Sequence, residues 1–111
     1  MKRMKHGLEL VATGKWDNDS QEFSLDNPFK PEIGRTYLVK IMIANEAVTT
    51  IIYFDNEEFT HSPAFISPAK TNVCEIYFYI TDDYTQITLL SADNSSNFND
   101  VTTIQVYLTD I

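Results

Sequence analysis

Cysteine and glycine are scarce in this chain, and apolar residues never accumulate into a long run. One cysteine and three glycines stand among 111 residues. A single thiol, Cys74, excludes an intramolecular disulfide, and with it the disulfide-stapled class of small secreted domain. Cys74 opens a strongly apolar segment, where a free cysteine is expected to act as a small buried hydrophobe. No segment approaches the ~20 apolar residues of a membrane-spanning helix. Helical periodicity is missing throughout. No nucleotide-binding loop, metal motif or catalytic motif is present, so no cofactor is expected.

Basic side chains are missing from most of the chain. Residues 1–40 hold seven of the eight (Lys2, Arg3, Lys5, Lys15, Lys30, Arg35, Lys40) against six acids, a net of +1. Residues 41–111 hold Lys70 against ten acids, a net of −9. Nucleic acid and anionic membrane need a basic face, so neither is expected as a partner. The start, Met1-Lys2-Arg3-Met4-Lys5-His6-Gly7, is basic like the head of a signal peptide. No apolar stretch or cleavage site follows it, because Glu9, Lys15, Asp17 and Asp19 interrupt. The expectation is a protein made in the cytoplasm without a general secretory signal. The sequons at Asn18 and Asn94 then carry no weight.

What the chain does have is strand-forming residues. Phenylalanine and tyrosine are plentiful, and threonine, isoleucine and valine occur throughout. Such side chains pack well on a pleated surface. Alternating runs predict strands at 8–13, Glu22–Leu25, 37–44, 49–54, 64–66, 73–81, Gln86–Ser91 and 101–109. The run at 64–66, held between Pro63 and Pro68, is expected to be a short edge strand. The polar connections at 15–21, 26–35 and 93–100 are the longest loops. About eight strands, with turn signals every 8–14 residues, predict an all-β, antiparallel two-sheet β-sandwich of jelly-roll type. The expected organisation is a basic arm at 1–7 and a sandwich domain at 8–111.

Four segments carry a resemblance. Gly14-Lys15-Trp16 follows the first strand. The run from Gly34 through Arg35, Thr36, Tyr37, Leu38, Val39 and Lys40 to Ile41 forms the third. Val73-Cys74-Glu75-Ile76-Tyr77-Phe78 and the closing Ile104-Gln105-Val106-Tyr107-Leu108 supply alternating aliphatics. In this order they resemble the jelly-roll carbohydrate-binding modules of galactose-binding-like topology. The resemblance covers nearly the whole domain as a pattern. The architecture is shared with lectins, tail-fibre tips and virion decoration domains. It implies a non-catalytic binding or assembly role.

Strand alternation sorts the aromatics into two sets. Ile76, Phe78 and Ile80 share one face, as do Ile104, Val106 and Leu108. Tyr77, Tyr79 and Tyr107 then point outward, joined by Tyr53. Such rings suit a protein interface or a sugar platform, because tyrosine buries area while its hydroxyl stays satisfied. Ordinary cross-strand pairing on a wet face is the plainer alternative. Trp16, in a polar stretch, is either a ligand platform or a lid over one end of the sandwich. Asp17, Asp19 and Glu22 cluster as hard oxygen ligands would for calcium, but without the spacing of a calcium-binding loop, so no metal site is assigned. Asp93, Asn97, Asn99 and Asp100 form a looser set of the same kind. Glu57/Glu58 and Asp82/Asp83 are adjacent acids that point to different sides, unlike a glycosidase pair. His6 and His61 have no nucleophile or zinc ligands spaced beside them.

These readings predict a protein without catalytic residues that binds neighbouring subunits of a larger assembly, such as a bacteriophage capsid or tail. Lys2, Arg3 and Lys5 of the arm and Tyr77, Tyr79 and Tyr107 of the sheet are the expected partner-binding residues. Opening on Met1, the chain is expected to stand apart from any enzyme, whereas carbohydrate-binding modules usually accompany one. The alternative is a freestanding glycan-binding module, with Trp16 and Tyr53 as ligand-binding residues.

Overall fold

The computed structural model describes residues 7–27, 29–43, 49–58, 60–91, 98 and 102–111. The described residues form eight strands and no helix. They are β1 (Leu8–Asp17), β2 (Glu22–Leu25), β3 (Thr36–Met42), β4 (Thr50–Asp55), β5 (Phe65–Ser67), β6 (Val73–Tyr79), β7 (Gln86–Ser91) and β8 (Thr103–Thr109). One sheet has the order β2-β1-β8-β3-β6 and the other β5-β4-β7, with every pairing antiparallel. The expected all-β sandwich is what forms. First pairs with last, third with sixth and fourth with fifth, while β2 lies beside β7. That nesting is the strand order of a jelly roll.

The core follows from alternation. Tyr37, Val39 and Ile41 of β3, Cys74, Ile76 and Phe78 of β6, and Ile104 and Val106 of β8 face inward. Ile52 and Phe54 of β4 and Ile87 and Leu89 of β7 meet them from the opposite sheet. Phe54 packs edge-on against Phe78 with centroids 5.1 Å apart, joining the two layers. Cys74 is buried as expected, and its thiol donates to the fully buried Ser67 hydroxyl at 2.9 Å. This contact ties edge strand β6 to edge strand β5.

Several boundaries move. β6 ends at Tyr79 rather than 81, yet Ile80 stays buried, donating to the Arg35 carbonyl and accepting from Gly34 N–H. β1 runs four residues beyond its predicted end, because Gly14–Asp17 pairs with β2 on one side and Gly14 and Lys15 pair with β8 on the other. Gly14 is the close-approach point of that hairpin. A Cβ there would lie 2.5 Å from the Ser24 carbonyl oxygen and 2.9 Å from Leu25 Cδ2.

The extension of β1 corrects the reading of Trp16. It is a core residue, 2% exposed, and neither a loop lid nor a ligand platform. Its ring meets Phe23 and Phe98 edge-on at 5.3 and 5.5 Å, and its indole N–H donates to Asn18 Oδ1 at 2.8 Å. Phe98, from the run expected to be a polar loop, is itself fully buried.

Candidate functional site

The outer face of the five-stranded sheet is unusually apolar, and a β-bulge accounts for part of it. By simple alternation Leu8, Leu10, Ala12, Gly14 and Trp16 share one side of β1. The register shifts between Leu10 and Ala12, so two steps on β1 match one on β8. A bulge inserts one residue and reverses the facing of whatever precedes it. Val11 is the inserted residue and packs partly against the core. Ala12, Gly14 and Trp16 therefore face inward, while Leu8 and Leu10 turn outward beside Thr109 and Tyr107.

The outward residues align in rows across four strands. Leu10 pairs with Tyr107, Tyr107 with Leu38, and Leu38 with Tyr77. Leu38, between Tyr107 and Tyr77, is 7% exposed. Leu10 at 50% and Tyr77 at 58% form the open ends of the row. Tyr79 stands one row away, 61% exposed, opposite Thr36. On the other side comes a polar row, Thr13, Gln105, Lys40 and Glu75, and then Lys15, Thr103, Met42 and Val73. The charges on this face are Lys15, Lys40 and Glu75, with Asp26 accepting from the Thr13 hydroxyl and Asp17 opposite Glu22 in the row beyond Lys15.

The three predicted tyrosines thus come together on one face. Tyr77 and Tyr79 are free of the core, and Tyr107 is half-buried with its hydroxyl donating to Gln105 Oε1 at 3.1 Å. Leu8, Leu10 and Leu38 complete the face and escaped sequence reasoning. The signal that would have found Leu8 and Leu10 is the bulge, which depends on the β8 partner and not on β1 itself, whereas Leu38 follows from plain alternation on β3. Tyr53 does not join the platform. It belongs to β4, on the outer side of the opposite sheet, because alternation sorts faces within a sheet and says nothing about which sheet a strand enters.

Tyr53 has a separate setting. Its ring lies 5.4 Å from that of His61, tilted by 57°. Burial first, and the Asp55 carboxylate second, push its phenol above the usual tyrosine range. Asp55 accepts from Thr88 through Oδ2 at 3.0 Å, while its buried Oδ1 has no hydrogen-bond partner. His61 Nδ1 contacts the Ser62 carbonyl at 3.0 Å.

Asp17, Asp19 and Glu22 serve a turn. Asp17 Oδ1 accepts from Asp19 N–H at 2.9 Å, and Asp17 stands opposite Glu22 in the β1–β2 ladder. Among the described residues no three acidic, histidine or cysteine side chains gather as a metal site. Glu57, Glu58, Asp82 and Asp83 are exposed at strand ends. Lys2, Arg3, Lys5, His6, Asp93, Asn97, Asn99 and Asp100 lie outside the described residues. Gly7, placed at the end of the arm by sequence, is buried with φ 57°, and a Cβ there would run into the Asp110 carboxylate.

Comparison with known proteins finds no family model, curated protein or solved structure that matches this chain.

Proposed function

We propose that this protein is a non-catalytic accessory subunit of a larger protein assembly, of which a bacteriophage virion is the leading example, and that it docks through the outer face of its five-stranded sheet. The carrying observation is the bulge at Val11. It exposes two leucines that unbroken alternation would direct to the core, and it aligns Leu10 with Tyr107, Leu38 and Tyr77. Exposing large apolar side chains is unfavourable for an isolated domain, and a contiguous patch of them marks an interaction surface. Bulges recur where a sheet re-aims side chains for function.

The row from Leu10 to Tyr77 spans four strands, a breadth that suits a protein partner more than a small ligand. In this reading the arm residues Lys2, Arg3 and Lys5 add a salt-sensitive contact to an acidic neighbour. The test is co-sedimentation of the purified chain with intact particles from its source. Leu10→Ser with Tyr77→Ser should weaken binding at least about tenfold, since truncating well-placed interface residues costs roughly 1–3 kcal/mol each. Deleting residues 1–6 should weaken it more at low than at high salt, because salt already screens the arm's contact. Particle binding that survives the double substitution refutes the assignment of this face.

A glycan-binding role is the second reading, and one observation favours it: the Tyr53–His61 ring pair beside the Asp55 carboxylate on the opposite sheet. A glycan-array signal abolished by Tyr53→Ala, with particle binding absent, would support that role instead.

A further inference from the structure

The nested pairing of the sandwich leaves one strand pair unmade. β2 remains hydrogen-bonded to β1, and where it lies against β7 the two strands form no ladder. The seam between them opens into a pocket of about 150 Å³. Phe23, Leu25, Phe29, Phe54, Ile87 and Ile104 wall it, and Glu22, Thr85 and Gln86 supply its polar groups. Phe54 and Ile104 are fully buried, so the pocket reaches the interior between the sheets.

We propose that this pocket binds one uncharged aromatic ring bearing a hydroxyl group, a small phenol. A cavity of this size with an apolar lining takes up a single six-membered ring. Three phenylalanines offer edges and faces to such a ring at favourable geometry. Glu22 lies on β2 at the pocket, and its side-chain oxygens can accept a hydrogen bond. A ligand hydroxyl complements it, and an anionic ligand is repelled.

The walls are already in position. Lys30 pairs with Asp83 at 2.6 Å, which ties the β2–β3 connector to the segment entering β7. Phe29 packs edge-on against Tyr37 at 5.6 Å, and the Tyr37 hydroxyl accepts the Glu32 N–H at 3.0 Å. A preformed site of this kind loses little on ordering when the ligand enters. This inference is independent of the assembly reading, because the pocket lies at the β2–β7 seam and the docking face on the far side of the five-stranded sheet.

The test is titration of the full chain with phenol, benzene, benzoate and N-acetyltyrosine amide, followed by methyl NMR and by melting temperature. Phenol should shift the methyls of Leu25, Ile87 and Ile104 saturably and raise the melting temperature. Trp16 emission should change with them, because Trp16 touches Phe23. Benzoate should bind at least about tenfold more weakly than phenol, and so should the tyrosine amide, whose backbone does not fit the pocket. Leu25→Phe should fill the space and abolish the shifts. The exposed substitution Glu22→Gln, which leaves the core untouched, should weaken phenol about fivefold and leave benzene unchanged. Several outcomes overturn the proposal: no saturable shift with phenol, equal binding of benzoate, or shifts centred on Leu8, Leu10 and Leu38. Equal binding of the tyrosine amide overturns the small-molecule assignment.

Discussion

Tyr77→Ser and Trp16→Ala remove aromatic rings 61 residues apart in sequence, and the structure requires their consequences to differ sharply. Tyr77 is 58% exposed, so a little under half of its surface is covered. An aromatic side chain buries up to roughly 200 Å² in a core, so the covered part is about 80 Å². At about 25 cal/mol per Å² that is ~2 kcal/mol as an upper bound, and compactness of the unfolded chain lowers it toward ~1 kcal/mol. Trp16 is 2% exposed, holds two edge-on ring contacts and donates one hydrogen bond. Truncating such a residue leaves a cavity and costs roughly 3–5 kcal/mol. A domain of this size has a total stability of roughly 5–15 kcal/mol. Urea unfolding followed by far-ultraviolet circular dichroism separates the two, because the slope normalises both variants to one scale. In melting experiments Tyr77→Ser should lower the midpoint by about 4–8 °C per kcal/mol lost, and Trp16→Ala should leave the protein barely folded. A loss above ~3 kcal/mol for Tyr77→Ser would place its ring in the core and remove the basis for a docking face.

Other substitutions probe single contacts. Gly14→Ala should cost roughly 1–3 kcal/mol, because backbone rather than a flexible side chain stands where its Cβ must go; an unchanged melting temperature would show that the hairpin relaxes freely. Ser67→Ala should cost about 1 kcal/mol by removing the acceptor of the Cys74 thiol, and Cys74 should react with a thiol reagent at the rate of unfolding; fast labelling of the native protein would contradict its burial. Tyr53 bears on alkaline stability. Its folded pKa is raised by burial and then by Asp55, so the stability it confers is intact below the usual tyrosine value of about 10 and is lost as pH rises through the folded value. Tyr53→Phe should flatten that decline in urea midpoints measured across alkaline pH; parallel curves for the two proteins would refute the linkage.

Strand positions were readable from the sequence because alternation is a local property. Glu22–Leu25 and Gln86–Ser91 form with their predicted ends, and Ile76, Phe78, Ile104 and Val106 point where period two directs them. Sheet membership was not readable, since pairing depends on partners distant in sequence. That is why Tyr53 was grouped with tyrosines that occupy the other sheet. Trp16 was misread for a compositional reason: Lys15, Asp17 and Asp19 make its surroundings look like a loop, although exposed Lys15, buried Trp16 and half-exposed Asp17 alternate as a strand does. Phe98 was hidden the same way within a polar run. Leu38 shows a different limit. Its parity is correct for the outer face, yet it is 7% exposed between Tyr107 and Tyr77, and exposure on a sheet is set by surroundings as well as by direction.

Two departures from regularity on one strand connect the fold to its surfaces. At Val11 the bulge changes which side of β1 meets the core, and so releases Leu8 and Leu10 to the outer face. Three residues later Gly14, lacking a Cβ, lets the Ser24 carbonyl approach closely, which holds β2 onto β1. With β2 held there, its ladder with β7 is not made, and the seam beside Phe23 and Ile87 opens. A regular β1 with a side chain at position 14 would turn its leucines inward and resist the tight hairpin. The docking face and the pocket therefore have separate causes within a few residues of each other. Removing the bulge by deleting Val11 should bury or misplace Leu8 and Leu10 while leaving the Gly14 hairpin and its pocket in place. Phenol binding that persists in such a deletion, together with lost particle binding, is the outcome this geometry requires; loss of both would show that β1 acts as one unit and that the two sites are not separable.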